Sequence, residues 1–151
     1  MAALNPLDRW QRRGLYWSCG LLVASGVVWL VLHYGWGAGA GELPHPLESW
    51  LMRLHGACAF AALFLAGVVA AQHVPRGWRI THAHPRMRLR WAFHRRSGLT
   101  LCTLGGLLAA SGYALYYFAP ETVRPALGWA HTGLGLALAG LLTAHARPRA
   151  D

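Results

Sequence analysis

Nine histidines stand in a chain of 151 residues, and two spacings among them can do chemistry. In the run "WAHTGLGLALAGLLTAHA", residues 129–146, nothing ionises except His131 and His145. They are fourteen residues apart, about four helical turns, so both rings fall on one helix face within roughly 40° and about 21 Å apart. His55 and His73 bracket "HGACAFAALFLAGVVAAQH" and are eighteen residues apart, five full turns and about 27 Å. Two such helices set face to face offer two pairs of imidazoles, one pair above the other. A pair arriving from opposite sides suits the axial positions of an iron porphyrin, a flat and largely apolar group. Zinc would ask for about four ligands in a compact tetrahedron, which rings so far apart on one helix do not supply. The candidate metal ligands are therefore His55, His131, His73 and His145, with His94 as an alternative to His73.

Rings at two depths need elements that cross an apolar layer. About 20 mainly apolar residues make a bilayer-crossing helix. Four stretches qualify: residues 15–35, 50–73, 93–118 and 127–146. The expected fold is all-α, an integral membrane four-helix bundle forming one domain over residues 1–151. The connecting stretches 36–49, 74–92 and 119–126 are too short for a folded domain of their own. Composition agrees, with 55% hydrophobic and only 13% charged residues, about half the charged fraction of a soluble domain. The first apolar run is long and lacks a clear small-residue cleavage pattern, so it reads as a helix rather than a leader. Cys19, Cys58 and Cys102 fall in three different apolar runs and read as small buried hydrophobes. No CxxCH is present to attach a haem covalently.

All 14 basic residues are arginine, and the net charge is +9. In a soluble chain that balance would point to nucleic acid. Here the arginines lie between apolar runs, so they read as a topology signal and nucleic acid is set aside. Twelve fall on one side of the predicted membrane: Arg9, Arg12, Arg13, Arg76, Arg79, Arg86, Arg88, Arg90, Arg95, Arg96, Arg147 and Arg149. Arg53 and Arg124 fall on the other, with Glu42, Glu48 and Glu121. The positive-inside rule then places both termini and the central loop in the cytoplasm. Trp10, Trp17, Trp36, Trp50, Trp78, Trp91 and Trp129 lie near predicted boundaries, as an aromatic belt would.

On this topology His55 and His131 open two spans that run the same way, and both lie near the outer face. His73 and His145 close those spans near the inner face, where His94 also opens the third. The two helices differ by about 6 Å in the separation of their rings, so the inner partner of His145 is His73 or, in its place, His94. His33 ends the first span; His45, His82 and His84 lie in loops and read as interfacial. Haem propionates need positive partners near the surface: Arg53 or Arg124 outside, Arg95 or Arg96 inside, although the last two also read as an interfacial anchor. Each ligating ring should give its second N–H to a carbonyl or hydroxyl, with Thr132 and Thr143 as nearby candidates.

Four spans, the pair His131 and His145 on the last of them, His55 near the outer end of the second, "FHRRSGLTL" entering the third and "SGYALYYFAPETVRPALGWAH" joining the third to the fourth together resemble a known family. It is that of the bacterial di-haem b-type cytochromes with four transmembrane helices: the cytochrome b561-like proteins and the membrane subunits of formate dehydrogenases and nickel–iron hydrogenases. The resemblance covers about residues 15–146. It implies two non-covalent haems b and electron transfer between a quinone pool and a partner redox protein. One departure bears on the inner site. The dehydrogenase subunits carry a ligating histidine near the cytoplasmic end of the first helix, where this chain reads "RWQRRGLYWSCG". His73 or His94 must fill that role, or the chain holds one haem.

The expected function is thus transmembrane electron transfer, in an oxidoreductase complex rather than as a stand-alone enzyme. The partners expected are a quinone, a redox protein or subunits of a membrane complex, and the lipid bilayer, which the arginine-rich loop would meet on its anionic face. The rival is a haem-free membrane anchor or assembly subunit. A histidine-based proton pathway is a further one, against which stands the lack of any carboxylate in a predicted span.

Overall fold

A computed structural model of the chain describes residues 8–83 and 92–146, with the side chains of 80–83 left out. Every regular element among the described residues is helical. They are α1 (Arg9–Trp36), a short 3-10 turn (Ala38–Ala40), α2 (Pro46–Ala83), α3 (Ala92–Tyr117) and α4 (Arg124–Ala146). All four α-helices are long and apolar enough to cross a membrane, the make-up of a multi-pass membrane protein. Their lengths of 28, 38, 26 and 23 residues give about 35–57 Å at 1.5 Å per residue, against a hydrocarbon layer of about 30 Å.

Three helices contain the expected spans and overrun them, and α3 matches its span to within one residue at each end, closing at Tyr117 rather than 118. α1 starts at Arg9 instead of 15, and α2 continues to Ala83 instead of ending at 73. Hydropathy marks the part of a helix that suits lipid; it carries no signal for where hydrogen bonding stops. The start of α1 is set by Gln11, whose Oε1 accepts the Asp8 N–H at 3.1 Å, one arm of a capping box.

Packing is inverted relative to a water-soluble bundle. Among the most buried side chains are Gln11, Ser18, Ser25 and Ser97, while Trp17, Phe60 and Tyr116 are 72%, 79% and 80% exposed. Large apolar side chains facing outward and small polar ones facing inward is the arrangement a lipid solvent favours.

The chain divides into two compact units, Met1–Arg76 and Gly77–Asp151. In the first, α1 and the start of α2 form an antiparallel hairpin. Its turn is closed by Glu48, which accepts the His45 N–H at 2.9 Å on one oxygen and meets His33 Nδ1 at 2.9 Å on the other. His45 in turn caps α2, its Nδ1 accepting the Leu47 N–H at 3.2 Å. Gly41, at φ +85°, supplies the left-handed residue after the 3-10 turn, a conformation glycine adopts without strain.

In the second unit α3 and α4 form another antiparallel hairpin. Its turn is held by Arg124, whose guanidinium donates to Leu115 O at 2.9 Å and Ala119 O at 2.8 Å. The two bonds satisfy one carbonyl in the last turn of α3 and one just beyond it, where helical N–H donors run out. Arg124→Gln removes the charge-assisted pair; a loss of about 1 kcal/mol would lower the melting temperature by about 2–4 °C, read by circular dichroism in detergent.

Candidate functional site

One local arrangement occurs three times. On α1, Ser25 Oγ lies 3.1 Å from Leu22 O and 3.0 Å from His55 Nδ1 of α2. On α3, Ser111 Oγ lies 3.0 Å from Leu108 O and 2.8 Å from His131 Nδ1 of α4. One layer further along the same hairpin, Ser97 Oγ lies 2.8 Å from Phe93 O, 3.2 Å from His94 O and 2.7 Å from His145 Nδ1. In each case a serine on the first helix of a hairpin stands between a carbonyl of its own helix and the δ-nitrogen of a histidine on the second.

Each of those serines is followed by a glycine, and each glycine faces the same ring. A Cβ on Gly112 would meet His131 Cε1 at 3.2 Å; on Gly26 it would meet His55 Cε1 at 3.4 Å, and on Gly98 His145 Cε1 at 3.6 Å. The missing side chain lets the imidazole lie against the neighbouring helix with its Nδ1 on the hydroxyl. The Ser–Gly step is thus a small cradle for a ring.

The geometry follows from register. On α3 Ser97 and Ser111 are fourteen residues apart, and so are His131 and His145 on α4. On antiparallel helices with equal spacing both pairs meet at once, and Gly105 against Leu138 and Gly135 against Leu108 keep the same register between them. In the first hairpin the residue fourteen before Ser25 is Gln11. Its Nε2 donates to Gln72 Oε1 at 3.3 Å, so an amide pair stands where the other hairpin has Ser97 and His145.

The remaining expected residues are placed as follows. His73 is half-buried on α2, next to Gln72 and near the end of its unit. His94 lies in the first turn of α3 with its ring centroid 5.5 Å from that of His145 and tilted 54° to it. Arg53 is exposed and sits 4.9 Å over the Trp50 ring. Arg124 closes the α3–α4 turn as described. Arg95 is half-buried in the first turn of α3 and Arg96 exposed. His33 stacks on Trp29 at 4.4 Å and is tied to Glu48, a turn contact. His84, Arg86, Arg88, Arg90, Arg147 and Arg149 lie outside the described residues, as does the side chain of His82.

The threonines expected to orient the rings do not do so. Thr132 donates to Gly128 O at 3.0 Å and Thr143 to Gly140 O at 2.7 Å, both within α4. A hydroxyl one residue after a ring or two before it points about 100–200° away around the helix and bonds back to its own turn. The serines across the hairpin take that place.

Among the described residues no three histidine, cysteine or acidic side chains converge on one point. A bis-imidazole site asks for two, from opposite sides of a macrocycle. Rings set in apolar spans, each with one nitrogen on a neutral hydroxyl and a glycine clearing its flank, fit the chemistry of axial haem ligands. No family model, curated protein or solved structure matches the chain.

Proposed function

We propose that the chain is a multi-pass protein of the bacterial inner membrane, with both termini cytoplasmic, whose four helices form one bundle that carries electrons through non-covalent haem b. The observation that supports it is the threefold recurrence of a histidine cradled by Ser–Gly inside apolar helices. Ionisable side chains within spans are costly and are retained for function. Three rings held in the same way ask for one common use.

His55 and His131 are the ligands assigned to the outer haem, and His145 and His73 to an inner one. What favours His73 over His94 is steric. Ser97 ties α3 directly to His145, and His94 lies one turn from Ser97 on α3. Two helices in hydrogen-bond contact leave no room between them for a macrocycle with an axial ligand on each face. Arg53 is the outer candidate for a propionate, since Arg124 is engaged in its turn, and Arg95 the inner one. A haem b, if bound, would supply one-electron exchange at its iron. The chain's own part is to hold the rings, exclude water and bring electrons to the two faces, where a quinone, a membrane subunit or a docking redox protein would exchange them.

The test is a reduced-minus-oxidised spectrum with a pyridine haemochrome count on the full chain purified from haem-replete cells. The expected result is a sharp b-type α band with two haems per chain. A count of one removes the inner site. A colourless preparation overturns the proposal and leaves the haem-free anchor.

A further inference from the structure

Two chemistries place a serine beside a histidine. In a nucleophilic dyad the ring takes the serine proton; in a metal site the serine accepts a proton from the ring and orients it. The second contact of each hydroxyl decides between them. Ser25, Ser111 and Ser97 each lie 2.8–3.1 Å from a main-chain carbonyl oxygen, which can only accept. A serine has one proton. Were it directed at the ring, two oxygens would face each other at that distance with no hydrogen between them. With the proton on the carbonyl, the hydroxyl oxygen is the acceptor and Nδ1 the donor.

From this we infer that Ser25, Ser97 and Ser111 are positioning residues that hold His55, His145 and His131 as Nδ1–H tautomers, which makes Nε2 the ligating nitrogen of all three rings. The inference rests on the haem reading above and adds to it. A neutral hydroxyl accepting from Nδ1–H raises the ring's donor strength modestly, where a carboxylate would do so strongly. Donor strength stabilises ferric over ferrous iron, so each serine lowers the potential of the haem its histidine serves. The hairpins differ at one layer, where Gln11 and Gln72 replace a serine and a histidine. The outer haem therefore has a serine behind both ligands, and the inner one has a serine behind His145 alone.

The alternatives give way on the same geometry. A hydrolytic dyad would need the serine O–H directed at the ring nitrogen, and here the carbonyl takes that proton. A purely structural buried serine is also present for comparison: Ser18 is buried and donates to Leu15 O at 3.1 Å, the same helix bond with no ring on its hydroxyl among the described residues.

Redox titration of the full-length holoprotein tests the assignment. Ser25→Ala and Ser111→Ala are each expected to raise the midpoint potential of one and the same haem and leave the other unchanged. Ser97→Ala is expected to raise the other alone, and Ser18→Ala neither. Haem affinity should fall roughly 10–100-fold at the affected site, as for other orienting partners, and Ser111→Thr, which keeps a hydroxyl, should restore the parental potential. A variant that fails to fold is replaced by its threonine counterpart, whose potential must then match the parent. Nitrogen-15 spectra of the dithionite-reduced, histidine-labelled chain read the tautomer directly, with or without haem. Protonated Nδ1 on the three rings is the expected result. Protonated Nε2, or potentials indifferent to all three serine changes, overturns the inference. A colourless chain with Nδ1–H rings would sink the haem reading while leaving the tautomer assignment standing.

Discussion

His131→Ala is expected to abolish one haem and spare the other, with the pyridine haemochrome count falling to about half and the α band losing one component. Among the described residues that ring carries the hydrogen bond from Ser111 to α4, and on the proposed reading a methyl group cannot replace its ligating nitrogen. His55→Ala should remove the same haem, because the proposal assigns both rings to one iron, and the double variant should lose no more than either single one. That non-additivity is the sharper outcome, since residues acting through one shared site do not contribute independently. His45→Ala is the contrast. His45 caps α2 through Leu47, so its loss should weaken the turn and leave both haems in place. If His55→Ala and His131→Ala deplete different haems, the pairing is wrong; if His45→Ala depletes haem equally, so is the reading of the rings as ligands.

The residues behind that prediction were legible in the sequence to different degrees. The four helices follow from apolar length, and the common face of His131 and His145 follows from a separation of fourteen. The overrun of α2 to Ala83 was not legible, because helical hydrogen bonding continues through polar residues that hydropathy treats as a boundary. The serines were missed for a different reason. A hydroxyl in a helix is ordinary, and Ser97 or Ser111 acquires meaning only once α3 is laid antiparallel to α4. A signal for it was present: the Ser–Gly steps at 97 and 111 repeat at the same interval as the two histidines, and a third step, at 25, lies in the span before His55. Thr132 and Thr143, near in sequence, were poor candidates because proximity along a helix turns a side chain away rather than toward its neighbour.

Gly112→Val should cost as much outer haem as removing His131 itself, although it replaces neither a proposed ligand nor a serine. A Cβ at that position would stand 3.2 Å from His131 Cε1, closer than ordinary van der Waals contact, and two further methyls enlarge the intrusion. Overpacking of this kind costs about 1–3 kcal/mol, and the backbone of α3 cannot retreat without breaking the Ser111 contact next door. The ring must swing, and on the proposed reading an imidazole so displaced no longer holds the haem. The helix itself is not weakened, because valine is no worse than glycine in a helix interior. Gly106→Val on the same helix, where a Cβ meets nothing within 4 Å, should therefore keep both haems. Alanine gives the finer test. The contact distances of 3.2, 3.4 and 3.6 Å at Gly112, Gly26 and Gly98 order the expected loss of haem: Gly112→Ala most, Gly26→Ala less, both from the outer site, and Gly98→Ala almost none from the inner. Haem-to-protein ratios of the three purified variants check that order, and its reversal would mean that the glycines serve helix packing rather than the rings.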